Sequence, residues 1–229
     1  MVVVKYWFQI IGNKLGRLAL WVMLLGLGFS AAAEPISLAE QLVGLRSYSA
    51  DFSQTVLGGR NEILQQSSGR VQIARPDRFK WVVAEPYPQT LVTVADKLYL
   101  YDPDLEQLTV ESLAEAMAGT PALILTGNSD QIDELFRVAA RQGPAREDEG
   151  ATPSVQYSLY PKDESALFAE IRLRFDSDRV LSQLDIVDHL GQLTQVNFAN
   201  VSYNGQMSAD EFEFTVPAGT DVIGELHQP

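Results

Sequence analysis

The sequence predicts a mainly β fold, a large antiparallel sheet curled into a barrel or half-barrel, with a few short helices. Three observations carry this expectation. About a dozen short runs rich in β-branched and aromatic residues are separated by turn chemistry. No helical stretch is long enough to serve as a crossover between parallel strands, which leaves antiparallel pairing. Finally, the 229 residues, less 33 assigned below to a targeting segment, leave 196, one domain large enough for a sheet to curl around a core or a cavity.

The elements follow in chain order. Lys5, Lys14 and Arg17 give a basic start without acids, "LALWVMLLGLGF" (18–29) is apolar, and small residues end at Ala33. This pattern predicts a cleavable secretory signal over 1–33, with a single domain over 34–229. The clean apolar run between Arg17 and Ser30 is short for a bilayer span, which argues against a stable membrane anchor. The chain has no cysteine, so neither a thioether-linked lipid nor a disulfide is available to it. The whole chain carries −13, and the signal holds three of its 17 basic residues and no acid, so the remainder carries −16. Such a surface repels nucleic acid and anionic headgroups.

"EPISLAEQLVGLRSY" opens with a capping box, Ser37 with Glu40, followed by Leu38, Leu42 and Leu45 at i, i+4, i+7. A short amphipathic helix over 37–46 is expected. Strands are expected over 50–57, 63–74, 78–84, 90–95, 97–102 and 106–111. In "SLAEAMAGTPALILTGNSDQIDEL", Ser112 caps one short helix that Gly119 stops, and Thr120 with Pro121 starts another ending near Gly127. Strands resume over 134–141, 154–160, 167–176, 179–188, 192–202 and 211–215. The polar stretch 141–154 reads as a solvated loop rather than a linker. A barrel of this size encloses space, and its apolar lining suits an apolar ligand as well as it suits a filled core.

Catalytic chemistry is hard to assemble. Of two histidines, His227 lies in the tail and His189 beside a hairpin turn, and neither cysteine nor a G-x-S-x-G turn supplies a nucleophile. "YDPDLEQ" (101–107) lacks the glycine of a calcium loop, so Asp102 and Asp104 read as turn formers. A paired-carboxylate site stays formally open but has no feature in its favour. No cofactor or metal motif is present, and no enzymatic activity is expected.

One residue breaks the pattern. In "VQIARPDRFKW" (71–81), Val71, Ile73 and Arg75 share a parity, and the first two mark that face as buried. An inward guanidinium cannot discharge, so it must find carboxylates, trapped water or the free carbonyls at the ends of short helices. Alternatively, Pro76 ends the strand and leaves Arg75 at the rim with its head in water.

The motifs "ADFSQTV", "ARPDRFKWVVAEPYPQTLV", "LYLYDPDLEQLTV", "GTPALIL" and "EFEFTVPAGTDVI" together resemble the periplasmic outer-membrane lipoprotein carrier family, LolA, from about Ser37 to Ile223. The resemblance implies an incomplete antiparallel barrel whose short helices form a lid over an apolar cavity that binds lipoprotein acyl chains. It implies delivery from an inner-membrane ATP-driven exporter to an outer-membrane lipoprotein receptor, by a periplasmic protein expected here to be a monomer. By the RP-x-x-F-x-W motif, Arg75 takes the position of the family's lid-latching arginine, with lid carbonyls as partners. The cavity and lid then draw on Leu38, Leu42, Leu45, Phe52, Val71, Ile73, Pro121, Ala122, Leu123, Ile124 and Leu125. Phe79 and Trp81 are candidates for exporter contact or for ordinary packing. Asp96–Lys97 departs from the Asp–Gly usual at that turn in the family. A rival reading is a sensor or scaffold module of the same fold in envelope regulation.

Overall fold

The computed structural model describes residues 36–113, 124, 132–143, 154–164 and 166–225. Helix α1 (Leu38–Val43) starts where expected because Ser37 and Glu40 close a complete capping box, each satisfying a backbone N–H of the first turn. It is shorter than the expected 37–46, since the chain turns at Gly44 and enters the first strand at Ser47.

Twelve strands follow: β1 (Ser47–Leu57), β2 (Ile63–Ala74), β3 (Arg78–Glu85), β4 (Gln89–Val94), β5 (Lys97–Asp102), β6 (Gln107–Ser112), β7 (Phe136–Gln142), β8 (Val155–Pro161), β9 (Glu170–Phe175), β10 (Leu181–Val187), β11 (Leu193–Tyr203) and β12 (Asp221–Ile223). A one-turn helix, α2 (Ile132–Leu135), precedes β7. The strands form a single sheet in the order β12-β6-β5-β4-β3-β2-β1-β11-β10-β9-β8-β7. All pairs are antiparallel except β12 with β6, and β7 and β12 are the two edges, so the barrel is incomplete. The segment 141–154 links two hairpin-paired strands, β7 and β8, of this one sheet; residues 144–153 lie outside the described ones.

One expected strand is corrected. Over 211–215 the alternation of Phe212 and Phe214 imitates a strand, but Ala209–Phe212 is a 3-10 turn. Ser208 and Glu211 form a second capping box there, which closes the backbone on itself before a ladder can start. The last strand comes later, at Asp221–Ile223.

Strand parity gives the sheet two working faces. On the inner face, Trp81, Leu91 and Leu100 are cross-strand partners, and a continuous core runs from Phe52, Val71 and Ile73 through Val196 and Leu184 to Leu173, Tyr157 and Leu159. On the outer face of β3–β6, Val92, Tyr99, Leu108 and Val110 form a separate small core. The chain after β11 covers it with Phe214, Val216 and Val222. Lys80 extends that cover by donating from Nζ to the Glu211 carbonyl at 2.8 Å.

Candidate functional site

Arg75 follows the last residue of β2, and its backbone N–H is taken by Arg46 O at 2.9 Å. The half-buried side chain turns to the inner face. Nη1 donates to Leu42 O at 3.2 Å and Nη2 donates to Ile124 O at 3.3 Å. Leu42 lies in the last turn of α1, where carbonyls lack helical partners and carry the negative end of the backbone dipole. Ile124, a buried helical residue, belongs to the other apolar segment. One guanidinium thus bridges two segments that are 82 residues apart in the chain. Burial pushes its pKa below the ordinary arginine value, while Tyr203 pulls the other way.

The apolar candidates fall around it. Leu38, Leu42 and Leu45 of the first segment are buried, as are Phe52, Val71, Ile73 and Ile124. Pro121, Ala122, Leu123 and Leu125 lie outside the described residues. Phe79 is 4% exposed within the core, its backbone N–H held by the Thr93 hydroxyl. Trp81 is half-buried and stacks on Phe52, ring centroids 4.0 Å apart. Asp102 and Asp104 shape a turn: Asp102 Oδ1 accepts the N–H groups of Asp104 and Leu105. His189 sits exposed in the β10–β11 turn.

Around the Phe52–Trp81 stack the inner face divides. Toward Arg75, packing leaves a void of about 10 Å³ lined by Gln41, Leu42, Leu45, Tyr48, Ile73, Phe175, Leu181 and Tyr203. At the opposite end, a half-open pocket of about 270 Å³ is lined by Gln54, Gln65, Ser67, Trp81, Val83, Leu91, Leu100 and the 86–89 turn. Among the described residues, the void at the latched end is small and the pocket at the far end is half-open.

Sequence reasoning missed the other ties that hold α1. Gln41 Nε2 donates to Arg179 O at 2.7 Å, the Tyr157 hydroxyl donates to Ile36 O at 2.8 Å, and Asn204 Nδ2 donates to Gly44 O at 2.8 Å. Asn204 Oδ1 also accepts the Arg46 N–H. Burial pushes the Tyr157 hydroxyl's pKa up, which keeps it a donor. A signal for Gln41 was available: Leu38, Gln41, Leu42 and Leu45 fall at i, i+3, i+4 and i+7, so a polar residue occupies the apolar stripe. Nothing local marks Tyr157 or Asn204, whose partners lie 121 and 160 residues away.

Set against known proteins, residues 44–215 match the family model described as outer membrane lipoprotein carrier protein LolA. An outer-membrane lipoprotein carrier protein of Chromohalobacter salexigens is 40% identical over 188 residues, 82% of this chain and 85% of that one. Another, from Pseudomonas paraeruginosa, is 36% identical over 211 residues, 90% of this chain and 97% of its own. Among solved structures, a putative outer membrane lipoprotein-sorting protein domain from Vibrio parahaemolyticus superposes with a TM-score of 0.41 at 12% identity, covering 76% of this chain and 92% of that one.

Proposed function

The chain belongs to the outer-membrane lipoprotein carrier family LolA, and from that premise we propose that it ferries lipoproteins across the periplasm by sheltering their acyl chains. Residues 1–33 are removed on export. The mature protein then takes its cargo from an inner-membrane ATP-driven exporter, yields it to an outer-membrane receptor, and catalyses no reaction. Among the described residues no helix is long and apolar enough to cross a membrane.

The observation that carries this reading is a permanent charge hydrogen-bonded to carbonyls of two separate segments over an apolar inner face. Three acyl chains exposed to water cost on the order of 30 kcal/mol, at about 0.8 kcal/mol per CH₂. A carrier must hide that surface and still surrender it. Stabilising the closed, empty state by Arg75's bonds to Leu42 O and Ile124 O offsets part of the gain from binding, so release is not prohibitively uphill. Phe79, at 4% exposure, would meet the exporter only once its surroundings open, whereas half-buried Trp81 already lines the pocket at the far end.

The test is Arg75→Leu in a reconstituted relay of exporter, carrier and receptor-bearing vesicles. The variant is expected to fold and load, then to retain cargo that the unaltered protein hands on, with transfer lowered about tenfold or more, the worth of one or two charge-assisted hydrogen bonds. Transfer at the normal rate would remove Arg75 from the mechanism.

A further inference from the structure

Gln41 is 6% exposed, and its two amide atoms have different fates. Nε2 is committed to Arg179 O at 2.7 Å, which fixes the orientation of the group. Oε1 is buried and has no hydrogen-bond partner among the described residues. A buried acceptor without a donor is costly, and such groups concentrate where something else supplies the missing partner. Gln41 lines the void of about 10 Å³ beneath α1, whose other walls include Leu42, Leu45, Ile73, Phe175 and Leu181. That volume is at the lower limit for a single water, which would seek about three hydrogen bonds. Of the two hydroxyls in those walls, that of Tyr48 already gives its proton to Leu181 O, which leaves the Tyr203 hydroxyl as the remaining side-chain donor.

We propose that Gln41 Oε1 is a binding site for the amide N–H that joins an acyl chain to its headgroup or peptide, so that the carrier prefers amide-linked to ester-linked chains. This rests on the carrier reading above. The match is chemical. A hydrocarbon chain ending in one N–H needs apolar walls with a single acceptor; this void supplies those walls and that acceptor, and takes a chain only once α1 moves to widen it. An ester linkage has acceptors only, and it would set its oxygen lone pairs against those of Oε1. Gln41 also neighbours Leu42, whose carbonyl Arg75 holds, so the acceptor lies where the cover must move to admit a chain.

The experiment uses two probes differing in one atom, 2-hydroxyethyl dodecanoate and N-(2-hydroxyethyl)dodecanamide, with the N-methylated amide as a third. Each is titrated against the mature protein by calorimetry below its micelle concentration. The expected result is that the amide binds about five- to tenfold tighter than the ester or the N-methyl amide, the worth of one neutral hydrogen bond. In Gln41→Met that ratio falls to about one, whatever common change in affinity the loss of the Arg179 tie brings to all three probes. Equal binding of all three probes to the unaltered protein overturns the inference and leaves the carrier reading standing, and it needs no variant to fold. A ratio preserved in Gln41→Met also overturns it, by placing the acceptor elsewhere. Failure of every probe to bind overturns the carrier reading and this inference with it.

Discussion

The sheet is covered on both faces, and the two covers are attached by different means. On the outer face of β3–β6, the chain after β11 is fastened by a backbone ladder, β12 on β6, and by Phe214 set against Tyr99 and Tyr101. On the inner face, α1 is held largely by side chains reaching carbonyls: Arg75 to Leu42 O, Gln41 to Arg179 O, Tyr157 to Ile36 O. A ladder with packed aromatics opens only when many interactions fail together. Side-chain bonds to the ends of a six-residue helix can be given up a few at a time, and each carbonyl can turn to water when released. The molecule therefore has one cover suited to permanence and another suited to exchange.

The largest expected effect tests the permanent side. Leu108 is fully buried in the outer core, so Leu108→Ala should cost about 3 kcal/mol in urea unfolding while leaving the affinity of the folded fraction for acyl probes unchanged. Reduced affinity in the folded fraction would break the separation of the two faces. Next comes Arg75→Leu, whose half-buried guanidinium should contribute only about 1 kcal/mol to global stability. Its signature should instead be local, faster hydrogen exchange at the backbone amides of 41–45, read by mass spectrometry. Unchanged exchange there would mean that α1 does not depend on its arginine.

The smallest effect concerns neither cover. Glu170 accepts from Arg172 at 2.6 Å, and this bond, with Ser158 and Tyr160 helping, holds its carboxyl pKa below the ordinary value. Its folded-state pKa is depressed, so the stabilisation is present above the unfolded value near ~4.3 and is lost as pH falls through the folded one. Glu170→Gln should lower stability at pH 7 by about 1 kcal/mol or less, and the two melting curves should converge as pH drops below ~4. Curves that stay parallel through that range would show that the pair contributes nothing.

Local chemistry was readable in the sequence and distant chemistry was not. The Ser37–Glu40 box needs only four neighbouring residues, and it is where reading placed it. The inward parity of Arg75 followed from Val71 and Ile73, and its chemistry admitted helix-end carbonyls among other partners, yet those partners lie 33 and 49 residues away, and the family resemblance singled out their segments. The tail misled for a physical reason: Phe212 and Phe214 alternate as a strand would, while Ser208 and Glu211 bend the backbone before them. Gln41 was overlooked because three leucines around it made the helix look complete.

The central ladder joins β1 to β11, so Tyr48 pairs with Tyr203 and the first strand of the sheet waits for almost the last. Seven strands lie on the β1 side of this ladder and five on the β11 side. The middle of the fold cannot close until some 150 residues have been delivered, and pairings so far apart in sequence form slowly. The hairpins on either side can form as soon as their own strands exist, and the seam between them waits for both.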